Sequence, residues 1–260
     1  MSVLAHLTSR ASILVLSSNE KLSINTSIGT LQGRLNDYFG DEIIGQIKFG
    51  SSTRDTILPR SVDSKSDIDY MVIFNNLSNY KPNTFIERLN RFATAKYSTS
   101  EQARSHPTVV LKLNHIMFDL VPAYQGIMGL STYIPAPASS LSEWLITDPN
   151  GFNKKLTQVN QNNSNLIKPM IRLVKYWNAK NGHIFDSFSL EQCIAGKWYW
   201  GCTNIKDYLF NAMEGLSTNG LSIANAAKVT RAHNIIKNVK AFELKGMPIS
   251  AETEIKKLIP

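Results

Sequence analysis

A short apolar run that opens with two acidic residues constrains this chain more than any other part of its sequence. Asp67 and Asp69 begin the run Asp67–Phe74, which ends in four consecutive apolar side chains. A run of this length and composition predicts a buried strand. Because side chains alternate across a strand, residues at i and i+2 point the same way, so the two carboxylates would face one spot. Two like charges held this close need a cation.

A Gly–Ser turn precedes this strand. The predicted strand Ile43–Phe49 runs directly into Gly50 and Ser51, and backbone N–H groups in such a turn are free to bind an anion. Carboxylate oxygens are hard ligands that suit Mg²⁺, which commonly binds phosphate oxygens at the same time. The two features together predict a magnesium–phosphate site. Asp-x-Asp pairs also open surface strands by chance, and for the pair taken alone that alternative stays open.

A third acidic residue lies in a later apolar segment. Asp119 stands in His115-Ile-Met-Phe-Asp-Leu-Val121, where an unpaired carboxylate would be expensive. The longer segment Thr108–Leu120 predicts either two strands or one long bent strand. Metal binding is the simplest reason for this aspartate, so Asp67, Asp69 and Asp119 are the candidate catalytic residues and metal ligands.

The chain changes from a mixed α/β pattern to a purely helical one near residues 130–150. A Pro/Ser-rich passage over residues 133–140 and the turn signal Asp148-Pro-Asn-Gly151 mark the change. We therefore expect an α+β fold with two domains, residues 1–145 and residues 146–260. The hydrophobic spacing predicts helices over Asn25–Tyr38, Thr84–Tyr97, Asn153–Asn160, Asn165–Asn181, Ser189–Trp200, Ile205–Met213 and Ser222–Val239, and strands over Ile43–Phe49, Ile68–Phe74 and Thr108–Leu120.

In the order of its motifs, the chain resembles the DNA polymerase β-like nucleotidyltransferases. Gly50-Ser51, Asp67-x-Asp69 and the later Asp119 match the family pattern Gly-Ser, Asp-x-Asp/Glu, Asp. More narrowly, the order of these motifs, the proline-rich link and the helical half is similar to the bacterial cGAS/DncV-like nucleotidyltransferases (CD-NTases), relatives of cyclic GMP-AMP synthase and oligoadenylate synthase. The resemblance covers roughly residues 25–240. It implies a polymerase β-like core, a mixed sheet with flanking helices, followed by a C-terminal helical subdomain.

The resemblance also implies nucleotide-binding residues. Val174-Lys-Tyr-Trp177 is similar to the family helix whose lysine reaches the triphosphate of the donor nucleotide, which assigns that role to Lys175. Ser187 and Phe188 match a loop in which a small polar residue binds the triphosphate and the adjacent aromatic ring stacks on the base. Gly50 and Ser51 would contact phosphates from the turn. From the residues alone, Ser187 as a helix N-cap and Phe188 as a core side chain stay open as alternatives.

The activity implied by the resemblance is the joining of nucleoside triphosphates with release of pyrophosphate. Asp67, Asp69 and Asp119 would hold two Mg²⁺ ions, with Mn²⁺ as a substitute, and two triphosphates would bind between the two halves. The product would be a cyclic di- or oligonucleotide second messenger in bacterial anti-phage signalling, read by a downstream effector that does not bind the protein itself. The alternatives are a linear-oligonucleotide synthase, a transferase acting on an RNA, protein or antibiotic acceptor, and a non-catalytic nucleotide-sensing or nucleic-acid-binding module.

The charge distribution limits the partners. Residues 1–150 hold 13 basic and 13 acidic residues, and residues 151–260 hold 15 and 7, so the whole net charge of +8 lies in the helical half. Without a Lys/Arg cluster this excess supports polyphosphate substrates only weakly, and we do not expect long nucleic acid as a partner. No apolar run approaches the roughly 20 residues of a membrane helix, and no signal-peptide pattern opens the sequence. We therefore expect a cytoplasmic protein without membrane contact.

Several other side chains are assigned structural roles. Tyr70 should pack away from the carboxylates, because strand alternation turns it to the opposite face. Basic side chains beside Lys175 are expected on a solvated face, and both cysteines lack zinc-ligand spacing. In full, the expectations are a solvated Lys168 and Arg172, a structural His183, packed thiols at Cys193 and Cys202, a core formed by Trp198, Tyr199 and Trp200, and support of the Gly–Ser turn by Thr53, Arg54 and Thr56.

Overall fold

The structure, a computed structural model, describes residues 2–98, 101–105, 108–126, 129, 131–136 and 143–260. The chain forms two compact units. The sheet unit comprises Ser17–Arg60 and Lys65–Lys154, and the helical unit comprises Met1–Leu16, Ser61–Ser64 and Lys155–Pro260. None of the helices among the described residues combines the length and the hydrophobicity that a membrane-spanning segment requires.

The secondary structure of the described residues confirms the predicted α+β fold. The strands are β1 (Ile43–Lys48), β2 (Asp67–Phe74), β3 (Gln102–Ser105), β4 (Thr108–Lys112), β5 (Met117–Gln125), β6 (Thr132–Pro135) and β7 (Trp144–Thr147). The helices are α1 (Val3–Ile13), α2 (Ser18–Phe39), α3 (Pro82–Lys96), α4 (Gly151–Asn162), α5 (Ile167–Lys180), α6 (Ser187–Ala195), α7 (Ile205–Glu214), α8 (Ile223–Leu244) and α9 (Pro248–Ile255).

The sheet unit is built on a mixed seven-stranded sheet. Its main path has the order β1-β2-β5-β4-β3, while β6 pairs with the C-terminal end of β5, and β7 pairs with β6. The β2–β5 pair is parallel, and the other pairs are antiparallel. The ambiguous segment Thr108–Leu120 is therefore two strands, which turn back on each other between Lys112 and Met117.

Helices α2 and α3 pack in the sheet unit through aromatic side chains. Ser17 and Glu20 form a capping box at the start of α2, which satisfies backbone N–H groups that have no partner in the helix. The ring of Phe39 at the end of α2 lies 5.1 Å from that of Phe74 on β2, and the Phe74 ring lies 4.8 Å from that of Phe85 on α3. Through these edge-to-face and tilted ring contacts, α2 and α3 pack against β2.

The helical unit is organised around α5. Ten of the 14 residues of this helix are buried, including every residue from Met170 to Asn178. Helix α5 contacts α1, α6 and α7, while α8 packs against α7 and α9. A helix that is buried on nearly every side lies at the centre of its unit. Polar side chains on α5 therefore have to find partners inside the protein.

The observed units differ from the predicted domains at the N-terminus. The sequence assigns residues 1–145 to the sheet domain, but α1 contacts α5, α7 and α9 in the helical unit. Val3 and Leu7 are buried, and the periodicity of a helix shows its apolar face without showing what covers it. At the other end, the division lies at Lys154 and Lys155, inside α4, rather than at residue 145.

Five described elements have no counterpart among the predictions, namely α1, α9, β3, β6 and β7. Strand β6 overlaps the start of the Pro/Ser-rich passage that we interpreted as irregular, and residues 137–142 of the same region lie outside the described residues. Strands β3, β6 and β7 are each four residues long. A segment this short shows too few alternations for its period to be recognised.

The expected core of Trp198, Tyr199 and Trp200 is wrong for both tryptophans. Helix α6 ends at Ala195 instead of continuing through residue 200, and the side chains of Trp198 and Trp200 are 90% and 96% exposed. Tyr199 is buried, and its hydroxyl donates to the carbonyl oxygen of Ile194 at 2.9 Å. Alternation in a non-helical segment turns the middle aromatic ring inward and its two neighbours outward.

Other structural expectations have mixed outcomes. Tyr70 is buried and donates to Gln46 Oε1 at 3.0 Å, which confirms its packing role. Cys193 is exposed and Cys202 is half-buried, so they are not packed thiols. Arg172 is buried rather than solvated, because α5 is covered on the side where the sequence alone indicated solvent.

Candidate functional site

The three candidate metal ligands lie on two neighbouring strands of the sheet unit. Asp67 and Asp69 stand at the start of β2, and Asp119 on the parallel strand β5 is directly opposite Asp69. Opposite residues in paired strands point to the same face of the sheet. Strand pairing therefore brings Asp119 to the face that carries the other two aspartates, although it is far from them in the sequence.

The Gly–Ser turn lies directly against Asp69. The Phe49 N–H donates to the Asp69 carbonyl oxygen at 3.0 Å, which fixes the end of β1 beside β2. Gly50 has a φ of +72°, and a Cβ built on it would lie 2.5 Å from Asp69 Cγ. Only glycine accepts both this conformation and this approach. Because Gly50 has no side chain, the backbone of the turn can lie directly against the Asp69 carboxylate.

A chain of hydrogen bonds holds the turn in place. The Thr53 hydroxyl donates to the Gly50 carbonyl oxygen at 2.8 Å and accepts from Asn153 Nδ2 at 3.1 Å. The Thr56 N–H donates to the Ser51 carbonyl oxygen at 3.1 Å. Thr53 and Thr56 thus support the turn as expected, whereas Asn153 at the start of α4 was not predicted, because no sequence signal links it to a turn so distant in the chain.

The phenylalanine next to Asn153 also meets this loop. The guanidinium group of Arg54 lies 5.5 Å from the ring centre of Phe152, a distance at which a cation is attracted to an aromatic face. Arg54 is itself buried. The turn is therefore held by the first residues of α4 as well as by its own backbone.

Asp119 has an incompletely satisfied carboxylate. Its Oδ1 is buried and has no hydrogen-bond partner among the described residues. Burial raises the pKa of the Asp119 carboxyl above its ordinary value, and a hydrogen bond from the Thr108 side chain opposes that rise in part. A buried acceptor without a partner costs free energy unless something else satisfies it.

The donor types in the sheet unit fit a hard divalent cation. Within the described part of the chain, no three His, Cys, Asp or Glu side chains form a ready-made metal centre. The unmet Oδ1 of Asp119 nevertheless offers an oxygen that a cation could take as a ligand. Because Asp67 and Asp69 share the face that carries Asp119, the three aspartates are suitable ligands for Mg²⁺.

Lys175 is part of a buried ion pair in the helical unit. Its Nζ lies 3.1 Å from Glu191 Oε1, and the two residues are 6% and 0% exposed. Glu191 is on α6 and was not singled out from the sequence, although it is the one acidic residue in the apolar part of that helix. An acidic residue on a buried face is a signal that a basic partner lies nearby.

The first turn of α6 carries the other two predicted nucleotide contacts. Asp186 is the N-cap, since its side chain accepts from the Ser189 N–H at 2.7 Å. Ser187 is therefore not the cap but the first helical residue, and Phe188 is 43% exposed rather than in the core. Both alternatives to nucleotide binding are wrong, and the nucleotide-binding roles of Ser187 and Phe188 remain predictions.

The candidate site residues thus form two groups. Gly50, Ser51 and the three aspartates belong to the sheet unit, where strand pairing and the Gly50 turn bring them together. Lys175, Ser187 and Phe188 belong to the helical unit, on α5 and the first turn of α6.

Comparison with known proteins relates this chain to nucleotide synthases. Residues 1–160 match the Second Messenger Oligonucleotide or Dinucleotide Synthetase (SMODS) domain. A probable cyclic nucleotide synthase of Bacillus cereus is 29% identical over 133 residues, which cover 48% of this chain and 39% of the relative. A cyclic AMP-AMP-AMP synthase of Acinetobacter sp. is 25% identical over 137 residues, which cover 53% of this chain and 38% of the relative. The matched segments thus span less than half of these relatives.

A solved structure shares the fold. The cyclic AMP-GMP synthase DncV of Vibrio cholerae, crystallised with nonhydrolysable GTP, has a TM-score of 0.74, and the match covers 95% of this chain and 92% of that one. At 10% sequence identity this likeness shows the fold alone. Because the matched domain spans more than half of the residues, the chain belongs to the Second Messenger Oligonucleotide or Dinucleotide Synthetase domain family.

Proposed function

We propose that this protein is a metal-dependent nucleotidyltransferase that joins nucleoside triphosphates into a cyclic di- or oligonucleotide. The observation that carries the proposal is the pairing of Asp119 with Asp69 across parallel strands, beside a turn that only glycine can form. Family membership supports the reaction class, and two relatives are named as cyclic nucleotide synthases. The GTP analogue bound to the Vibrio cholerae protein supports triphosphates as substrates.

Asp67, Asp69 and Asp119 would hold two Mg²⁺ ions, with Mn²⁺ as a substitute. When bound, these ions would neutralise charge on the α-phosphoryl group and on the departing pyrophosphate, and would lower the pKa of the attacking hydroxyl. The donor set of three carboxylates supports this role, because hard oxygen ligands suit magnesium.

The remaining steps involve the residues of the chain itself. A ribose hydroxyl oxygen forms a bond to the α-phosphorus, the bond from that phosphorus to the bridging oxygen breaks, and pyrophosphate leaves. The hydroxyl proton passes to Asp119 or to water. A second transfer of the same kind closes the ring.

The nucleotide contacts are divided between the two groups of residues. In the sheet unit, N–H groups of the Gly50–Ser51 turn bind phosphate oxygens. In the helical unit, Lys175 and the Ser187 hydroxyl bind the triphosphate at the N-terminus of α6, where the helix dipole favours an anion. The exposed ring of Phe188 stacks on the base. A phenyl ring stacks on any base, so it contributes affinity without selecting one.

The test is a product assay with all four ribonucleoside triphosphates, singly and in pairs, in Mg²⁺ or Mn²⁺. We expect a phosphatase-resistant product and an equivalent release of pyrophosphate. A product that keeps a phosphatase-sensitive end would identify a linear-oligonucleotide synthase. Dependence on an added RNA, protein or antibiotic would identify a transferase with that acceptor, and no product under any condition would contradict the proposal.

Three further expectations remain predictions. They are the anti-phage role, a downstream effector that reads the product, and the cytoplasmic location. The second follows from the proposed product, because a cyclic nucleotide acts by binding a separate receptor.

A further inference from the structure

We propose that Glu191 is a positioning residue that holds the Lys175 ammonium group beside the first turn of α6, ready for a triphosphate. The inference rests on the proposed function, in which Lys175 binds that triphosphate. The two side chains meet at 3.1 Å, and Glu191 is entirely buried. Glu191 does not touch the nucleotide in this account, and it acts through the lysine.

The spacing on α6 explains why the pair lies where it does. Ser187 and Glu191 are four residues apart, so their side chains lie on the same face of the helix, one above the other. Four residues of an α-helix rise about 6 Å. Glu191, which holds the ammonium group, therefore lies one helical turn from the residue whose hydroxyl would contact the same triphosphate.

The buried position of Lys175 makes a counter-charge necessary. A lysine side chain is long and flexible, and an ammonium group buried without an opposite charge is strongly unfavourable. Within the described part of the chain, Glu191 is its one hydrogen-bond partner. An ammonium group has three N–H donors, so binding to Glu191 leaves donors for phosphate oxygens. Without Glu191, the ammonium group would leave this position for solvent.

The experiment measures binding of a nonhydrolysable nucleoside triphosphate to the full chain and to four variants. These are Glu191→Gln, Lys175→Met, the double variant, and Glu254→Gln as the control. Glu254 is also a buried glutamate of the helical unit with a lysine partner, Lys257, and an amide partner, Asn238. The control therefore removes a similar charge away from α5 and α6.

We expect Glu191→Gln to weaken binding by about tenfold or more, and Glu254→Gln to change it less than about twofold. Binding of the matching nucleoside monophosphate, which lacks the β- and γ-phosphates, should change little in any variant. Because Glu191 acts through Lys175, the double variant should bind no more weakly than Lys175→Met alone. A purely structural role would instead add a further loss in the double variant.

Two results would overturn the inference. One is wild-type affinity in Glu191→Gln, and the other is an equal loss from Glu191→Gln with and without Lys175. If Glu191→Gln does not fold, Glu191→Asp keeps the charge but draws it back by one methylene, and wild-type affinity in that variant would also overturn the inference. Failure of the proposed function is distinct, because the wild-type chain would then bind no triphosphate at all.

Discussion

In the sheet unit, three aspartates lie on one face of two parallel strands, and a carboxylate oxygen of Asp119 has no hydrogen-bond partner among the described residues. In the helical unit, the buried ammonium of Lys175 already has the carboxylate of Glu191 beside it. One carboxylate oxygen of the first group is thus unsatisfied within the described residues, whereas the lysine of the second group already has a carboxylate partner. The two groups differ in what we expect of them: the first should take up a cation, and the second should keep its internal ion pair.

The strongest test of this contrast removes two of the carboxylates that we propose bind a cation. The double variant Asp67→Asn/Asp69→Asn should lose synthesis by roughly a thousandfold or more, because neutral amides cannot hold the metal ions. The measurement is the rate of pyrophosphate release with Mg²⁺, together with circular dichroism for the fold. Asp37→Asn/Asp41→Asn removes two exposed carboxylates of the same unit and should leave the rate unchanged. Activity in the first variant would show that the metal assignment is wrong.

A second test changes the turn and leaves every charge in place. Gly50→Ala should reduce the rate roughly a hundredfold, because the added methyl group displaces the Asp69 carboxylate. The control is Gly29→Ala on the exposed side of α2, where no atom lies within 4 Å of the new Cβ. That variant should keep full activity and gain about 0.5–1 kcal/mol in stability, since alanine favours a helix. Equal rates in the two variants would contradict the close approach at Gly50.

A third test examines the helical unit through an uncharged contact. Phe188→Ala should weaken binding of adenine and guanine nucleotides alike by about tenfold, the usual scale for loss of a stacked ring. Phe188→Tyr should bind as the wild type does. Trp198→Ala removes an exposed ring of the same unit and should have no effect. A loss confined to one base would mean that Phe188 selects the nucleotide instead of only holding it.

The smallest expected effect is a change in the free energy of unfolding. Its sign should be opposite for a variant of Asp119 in the sheet unit and a variant of Glu191 in the helical unit. The folded-state pKa of Asp119 is raised by burial, so ionisation destabilises the folded state, and the penalty grows as pH rises through the unfolded and folded pKa values. In metal-free protein at pH 7, Asp119→Asn should therefore raise the free energy of unfolding by about 1 kcal/mol. Glu191→Gln should lower it, because it leaves a buried lysine unpaired.

Urea unfolding checks this prediction. The advantage of Asp119→Asn should shrink as the pH is lowered toward about 4, the ordinary range of an aspartate. Mg²⁺ should stabilise the wild-type chain and stabilise Asp119→Asn less. A destabilised Asp119→Asn at pH 7 would mean that the carboxylate is already satisfied without a cation.

Much of the fold was predictable because its signals are local. The period of the hydrophobic residues identified β2, α3, α5 and α7 within a few residues of their observed bounds. The Asp67-x-Asp69 pair was identifiable because side-chain alternation is a property of the strand itself. Trp198 and Trp200 were misassigned because an apolar segment was taken to continue a helix, and whether such a side chain is buried depends on what surrounds it.

The sequence by itself determined the candidate residues for the chemistry and the kind of element on which they lie, since the backbone sets the spacing of side chains over a few residues. Only the tertiary structure decided which distant residues meet. The parallel pairing of β2 with β5 puts Asp119 opposite Asp69, and the packing of α6 on α5 puts Glu191 against Lys175. It also decided that α1 belongs with the helical unit. These contacts depend on the burial of apolar faces over the whole chain, and no local pattern encodes that result.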